Sequence, residues 1–238
     1  MLKAAIHGTG RMAAAIATVT ECTSDVSIIA LAGPLAPAWE TAIPWYRSLA
    51  DLTTRPDLLI DFTLPEGTRT AAAWSAANQV PLLSGVTGLS DEILTDLKAT
   101  ASLVPVLWSP NLSLGVNLLA DLAERASAVL NERAPVMIKD VHHQWKKDAP
   151  SGTALMLGAG IAGQRDGDHE RIEYESVREG EVIGEHTVTF KLAGEEFDLV
   201  HRAHDRSIYA QGALNAGAWL AGQPPGLYSA ADWLRARG

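Results

Sequence analysis

The sequence predicts an α/β fold in two parts: a doubly wound parallel sheet covered by helices, then a smaller α+β domain. Three observations carry this expectation. Short apolar strands alternate with helical segments over residues 1–112, and a glycine-rich turn joins the first strand to the first helix. Beyond Arg171, three strand-like runs follow one another with glycine-containing connections and no helix between them. Near-continuous apolar strands separated by helices are what a parallel sheet buried on both faces requires. With 238 residues and 47% hydrophobic content, the chain can bury one large core or two small ones.

In chain order, "LKAAIHGTGRMAAAIATV" reads as strand, turn and Ala-rich helix, and "VSIIALAG" and "DLLIDFT" read as the second and third strands. Pro65 opens a helix over "EGTRTAAAWSAAN", since a proline in the first turn has no helical N–H to lose. "VPLLSGVTG" is a strand and turn, "SDEILTDLKATA" a helix with Ser90 as its N-cap, and "LVPVLWSPN" a further strand. The pattern then changes. "LSLGVNLLADLAERASAVL" predicts a long helix, and "VMIKDVHH" a strand that ends in paired histidines. A helix starting near Ser151 precedes "RIEYESVR", "EVIGEHTVTFKL" and "EEFDLVHRAH", whose connections at Glu179-Gly180 and Ala193-Gly194 predict an antiparallel meander. The tail "SIYAQGALNAGAWLAG" is helical and is expected to return to the first domain, leaving the open face of the meander for a partner subunit. The expected division is a first domain of residues 1–112 and 207–238 and a second of residues 113–206.

Composition narrows the function classes. A formal net charge of −9 leaves no positive field to draw in nucleic acid, although a local basic pocket for a small anion remains open. The single cysteine, Cys22, cannot form an intramolecular disulfide, and the first residues lack the form of a signal peptide. No apolar run is long enough to span a bilayer. The cytoplasm is the expected compartment.

Two segments carry chemistry. In "IHGTGRMA", Gly8, Gly10 and Ala13 give the G-x-G-x-x-A form of the Rossmann-type dinucleotide fingerprint, directly between a strand and a helix. Gly8 permits the sharp turn, Gly10 lets backbone approach a pyrophosphate, and Ala13 keeps the helix close to the sheet. Arg11 adds a cation for a phosphate. The acidic residue that ordinarily holds the ribose hydroxyls is missing, because the second strand ends in Ala32-Gly33-Pro34 and the nearest carboxylate is Glu40. No arginine follows there at once, so NADH and NADPH both remain open.

The second segment is "DVHHQWKKDAPSGTA", Asp140 to Ala154. On a strand His142 and His143 point to opposite faces, so plain burial accounts for at most one of them. Lys146 places a cation near whichever ring faces the site, which favours neutral imidazole, whereas a bound anion favours imidazolium. Asp148-Ala149-Pro150 delays the helix, and the N–H groups of Gly152 and Thr153, with the Thr153 hydroxyl, form a carboxylate cradle at its start. Zinc is the rival reading of paired histidines, but HExxH spacing is absent and the only cysteine belongs to the other domain. No metal is expected.

With these segments in view, the chain resembles the dihydrodipicolinate reductase family. The likeness runs in order through "GTGRMA", "LLIDFTLPEGT", "LSGVTG", "SPNLSLGVN", "VHHQWKKDAPSGTA", "SVREGEVIGEHTV" and "HRAHDRSIYAQGAL". The H-H-x-x-x-K-x-D-A-P-S-G-T-A string is its most specific part. The glycine turn is one residue tighter than the common family form, Val86 stands where a threonine is frequent, and the stretch from Ala162 to Glu173 is short.

The resemblance implies reduction of a cyclic, dicarboxylated imine-type intermediate, 4-hydroxy-tetrahydrodipicolinate, by NADH or NADPH in lysine and diaminopimelate biosynthesis. It implies proton-donor positions at His142 and Lys146 and substrate contacts at His143, Gly152 and Thr153. Coenzyme contacts fall on Gly8, Thr9, Gly10, Arg11 and Met12, on Gly85, Val86 and Thr87, and on Ser109, Pro110, Asn111 and Leu112. Thr87 is expected where nicotinamide and substrate meet, and Arg206 as a further anchor for a substrate carboxylate. The implied partners are a small-molecule dicarboxylate and further copies of the chain, as a tetramer or a dimer. Two other readings stand beside this one: a related reductase acting on another cyclic imino acid, and a nucleotide-binding regulatory homologue that has lost catalysis.

Overall fold

The computed structural model describes residues 1–21, 25–130, 134–165 and 171–237. Cys22 and part of the short stretch between Ala162 and Glu173 lie outside the described residues. The chain divides into two compact units, one of Met1–Ser113 with Ser207–Gly238 and the other of Leu114–Arg206.

The first unit is built on a seven-stranded, wholly parallel sheet. Its strands are β1 (Leu2–His7), β2 (Val26–Ala32), β3 (Trp45–Tyr46), β4 (Leu58–Asp61), β5 (Leu82–Ser84), β6 (Pro105–Trp108) and, from the end of the chain, β11 (Gly226–Tyr228). They are ordered β11-β6-β5-β4-β1-β2-β3. The direction of winding reverses between β1 and β4, and open α/β sheets bind ligands outside the carboxyl ends of strands at such a point. Alternate residues feed two cores. Ala5, Leu59 and Leu82 pack with Ala71 and Ala72 of α2 (Pro65–Asn78) and Leu97 of α3 (Asp91–Ala101). Leu58 and Leu83 point the other way, toward α6 (Ser207–Leu220), where Gly217 leaves room for them. That helix also packs on α1 (Arg11–Thr20). Ser90 caps α3 by accepting from the Ile93 N–H, the role its position in the sequence suggests. β3, β11 and the short α7 (Ala230–Arg235) are not legible in the sequence, because runs of two, three and six residues carry little periodicity.

The second unit holds α4 (Leu114–Leu130), β7 (Val136–His142), α5 (Gly152–Gly163), β8 (Ile172–Arg178), β9 (Gly184–Leu192) and β10 (Glu195–Ala203). The meander expected from three consecutive strands does not form. β9 and β10 do make a hairpin, turning at Gly194 (φ 91°), but the sheet order is β10-β9-β7-β8. β7 lies between β8 and β9, pairing parallel with the first and antiparallel with the second. The reason is the α5 crossover, since a strand returning after a helix lies parallel to the strand before it, whatever turn follows.

Burial along β7 alternates strictly. Its inner face carries Val136 and Ile138, which pack with Leu119 and Ala123 of α4, with Ala154, Leu157 and Ile161 of α5, and with Val188 and Phe190 of β9. The same face continues into Asp140 and His142, both buried. A single sheet face therefore changes from apolar core to ionisable groups within one strand.

Candidate active site

At the carboxyl edge of the first unit the glycine turn follows β1. Gly8 has φ 117°, and a Cβ there would stand 2.9 Å from the Phe62 carbonyl oxygen, so the turn requires glycine. Gly10 is the N-cap of α1 and supplies no side-chain cap, the first turn of α1 contains no acid, and a Cβ at Gly10 would meet nothing within 4 Å. A helix start so arranged, with Arg11 exposed at its first position, fits a pyrophosphate. Thr9 is braced through its hydroxyl to the Leu35 carbonyl (3.0 Å) and through its own carbonyl to the Trp39 indole N–H (2.9 Å). Met12 is half-buried in the same turn.

Gly85, Val86 and Thr87 follow β5, and Ser109 to Leu112 follow β6, so these two loops lie on the same edge of the sheet. Gly85 lacks a Cβ where the Phe62 ring sits. Val86 is buried and its carbonyl accepts from the Trp108 indole (2.9 Å), while Thr87 is exposed. Ser109 is buried and donates to the Asn111 carbonyl (2.7 Å), Pro110 is exposed, and Leu112 is buried. Beneath the loops lies a fully buried carboxylate, Asp61, at the end of β4. It accepts from the hydroxyls of Thr63 (2.6 Å), Thr68 (2.7 Å) and Ser84 (2.9 Å), and His7 Nδ1 stands 3.4 Å away. One side chain thereby ties together the ends of β1, β4 and β5 and the start of α2.

In the second unit Asp140 is the centre of the polar half of the sheet. Its carboxylate accepts from His142 Nδ1 (2.9 Å), the Ser176 hydroxyl (2.6 Å), Arg178 (2.8 Å) and, at 3.4 Å, the Ser151 backbone N–H. Burial pushes the Asp140 carboxyl up, but the Ser176 hydroxyl, the Ser151 N–H and Arg178 outweigh it and hold the group below the usual carboxylate range. Burial, followed by the Lys146 charge, lowers His142 against the opposing pull of Asp140. His186 of β9, opposite Asp140 in register, meets the His142 ring edge-on at 5.2 Å and lies 3.3 Å from the Ser151 hydroxyl. Its pKa is pushed down to about 4, chiefly by burial.

Ser151 caps α5 through its hydroxyl, which accepts from the Ala154 N–H (3.1 Å). Gly152 is exposed at the helix start and Thr153 half-buried beside it. Lys146 is ion-paired to Asp148 (2.9 Å), whose main-chain carbonyl accepts from Arg178 (2.5 Å). His142, Lys146 and the start of α5 are thus joined through Asp140, Arg178 and Asp148. His143 lies just past the end of β7, half-buried, with its ring 5.8 Å from the mostly exposed Trp145. Arg206 is exposed on the turn before α6, and among the described residues no contact joins it to this cluster. Nor do three His, Cys, Asp or Glu side chains among them converge to hold a metal ion.

Family models for dihydrodipicolinate reductase match both halves of the chain, the N-terminal model over residues 2–112 and the C-terminal model over residues 115–234. The chain belongs to the dihydrodipicolinate reductase family. It is accordingly an oxidoreductase, and relatives cover nearly its whole length. It is 41% identical over 240 residues to the 4-hydroxy-tetrahydrodipicolinate reductase of Stenotrophomonas maltophilia (strain R551-3), covering 98% of each chain. It is 36% identical to the enzyme of the same name from Halorhodospira halophila (strain DSM 244 / SL1), covering 92% of this chain and 88% of that one. Among solved structures it is similar to dipicolinate-bound dihydrodipicolinate reductase from Paenisporosarcina sp. TG-14, with a TM-score of 0.83 and 25% identity over 96% of this chain and 97% of that one. A diaminopimelate dehydrogenase from C. glutamicum, at 11% identity and a TM-score of 0.60, shares the fold.

Sequence reading singled out neither Asp61 nor the group of Asp140, Ser176, Arg178 and His186. A signal for the second group was present. Asp140, Ser176 and His186 each stand two residues from a side chain in or against the core, Ile138, Tyr174 and Val188, and an acid or imidazole continuing such an alternation is buried. The expected meander hid it, because in that arrangement Asp140 and Ser176 would not be neighbours.

Proposed function

We propose that this chain catalyses the NADH- or NADPH-dependent reduction of 4-hydroxy-tetrahydrodipicolinate to tetrahydrodipicolinate in lysine and diaminopimelate biosynthesis. The observation that carries the assignment is the buried Asp140 carboxylate, which fixes His142 beside Lys146 and the start of α5. Ionised Asp140 is an acceptor only, so the hydrogen between it and His142 resides on Nδ1. A neutral His142 then presents a lone pair at Nε2 and cannot donate a proton from that atom. Lys146, with three N–H donors, is the proton donor of the resting site. His142 joins it once the negative charge of a bound dicarboxylate draws a proton onto the ring.

Loss of the substrate hydroxyl together with a hydrogen of the adjacent ring carbon releases water and leaves a conjugated ring, to whose electron-poor carbon a bound coenzyme would supply a hydride. Lys146 delivers the proton that balances the charge left on the ring. The Gly152 and Thr153 N–H groups receive one carboxylate at the positive end of α5, and His143 and Arg206 serve the other. In the first unit, Gly8 to Met12 hold the pyrophosphate, and the loops of Gly85 to Thr87 and Ser109 to Leu112 hold the remainder of the coenzyme. Among the described residues no helix is long and apolar enough to cross a membrane. We assign the protein to the cytoplasm as a homo-oligomer, a tetramer or a dimer. The outer face of the four-stranded sheet, with the Lys139–Glu175 and Arg202–Glu185 ion pairs and exposed Val200, supports such an assembly.

The test is loss of nicotinamide absorbance with enzymatically generated substrate. Turnover with either coenzyme is expected, with Lys146→Ala cutting it heavily and leaving coenzyme affinity intact. Absence of turnover with both coenzymes rejects the assignment.

A further inference from the structure

NADH and NADPH differ at the 2′ position of the adenosine ribose, a hydroxyl in one and a phosphate in the other. In nucleotide sites of this architecture a carboxylate near the end of the second strand holds the ribose diol, whereas a nearby arginine accommodates a 2′-phosphate. Residues 26–39 contain no Asp, Glu, Lys or Arg, so the end of β2 offers neither. Both backbone groups of Gly33, just beyond β2, are already engaged. Its N–H donates to the Tyr46 carbonyl (3.0 Å) and its carbonyl accepts from the Trp45 indole N–H (3.0 Å). These bonds fasten β3 alongside β2 in parallel, with Leu31 opposite Trp45 and Ala32 opposite Tyr46.

The residue after Tyr46 is Arg47, and parallel pairing carries it to the same carboxyl edge as Gly33 and the glycine turn. Arg47 is exposed, and among the described residues no ion pair or side-chain hydrogen bond holds its guanidinium. Asp51, the next acid along the chain, is occupied instead with the Ser48 N–H (3.0 Å) and hydroxyl (2.8 Å). Sequence spacing hides this cation because it sits on the following strand; the sheet register brings it back.

We propose that Arg47 receives the 2′-phosphate of NADPH and makes NADPH the preferred coenzyme. This rests on the coenzyme reading above and adds a residue that discriminates between the two nucleotides. A guanidinium matches phosphate geometry with paired N–H donors, and no carboxylate at the end of β2 opposes the added charge.

The experiment is calorimetric titration of the intact chain with adenosine 2′,5′-bisphosphate, adenosine 5′-monophosphate and NADH. The wild-type chain is expected to bind the bisphosphate about tenfold or more tightly than the monophosphate, a preference that Arg47→Gln largely abolishes and Arg47→Lys partly retains. NADH affinity is expected to stay within about twofold in both variants, since NADH lacks the phosphate that a guanidinium pairs with. A bisphosphate preference that survives Arg47→Gln overturns the assignment while leaving the coenzyme reading intact, as does a wild-type chain that binds the two adenosine nucleotides equally. Wild-type protein that binds none of the three overturns the coenzyme reading and this assignment together.

Discussion

Asp140 takes four hydrogen bonds at one buried carboxylate, and its neighbours depend on its charge as much as on its shape. Asp140→Asn keeps the volume but removes the charge that fixes Nδ1–H on His142 and neutralises Arg178. We expect kcat to fall by about 10²-fold, the usual scale of a misdirected acid–base group, with coenzyme affinity unchanged; stopped-flow turnover and calorimetry on the same variant check this. His186 gives a stability prediction whose sign follows from its lowered pKa. The unfolded chain protonates this ring below about pH 6.5, whereas the folded chain resists until about pH 4. Its contribution is therefore complete above pH 6.5 and is lost as pH falls from there toward 4, by up to about 3 kcal/mol for the gap between the two values. His142 shifts in the same direction and adds to the loss. Urea unfolding between pH 4 and 7 should show this slope, and His186→Phe should flatten it.

At the scale of elements, the turn between β1 and α1 was legible because glycine spacing, strand and helix agree, and because Gly8 has a backbone angle that other residues avoid. Gly8→Ala is expected to weaken NADH binding by about tenfold or more and to lower the melting temperature, both from the 2.9 Å approach to the Phe62 carbonyl. Fluorescence titration and thermal unfolding read the two effects. The start of α5 was equally legible, because a Ser-Gly-Thr run after proline has one reasonable meaning, and the helix does begin there, at Gly152 with Ser151 as its N-cap. The pairing of β7 with β8 was not legible. Tight connections between β8, β9 and β10 suggest neighbours in sequence order, and only the crossover through α5 shows that β8 pairs back onto β7. Strand pairing is a non-local property, and the missed acid–base neighbours follow from that one error. Arg47 belongs to the same class of omission, since two residues of β3 give no period to detect.

For the whole molecule, the two units bury separate cores, and the second presents a sheet face lined by ion pairs with Val200 43% exposed. If that face joins subunits, Val200→Asp places an unpaired charge in the contact and should shift the protein toward smaller species in sedimentation velocity at unchanged circular dichroism. A mass distribution identical to the wild type would assign the contact to another surface. Function class was legible at this scale from the order of the motifs, which runs through both units.

The inner face of the four-stranded sheet has a further consequence. Because Ile138 and Asp140 are successive inward positions of one strand, hydrophobic packing under α5 and the protonation chemistry share a common rigid support. Enlarging or shrinking Leu157 or Val188 would tilt the ladder on which the imidazoles hang, so that substitutions remote from any reacting atom register first as altered acidity of the site and only later as unfolding.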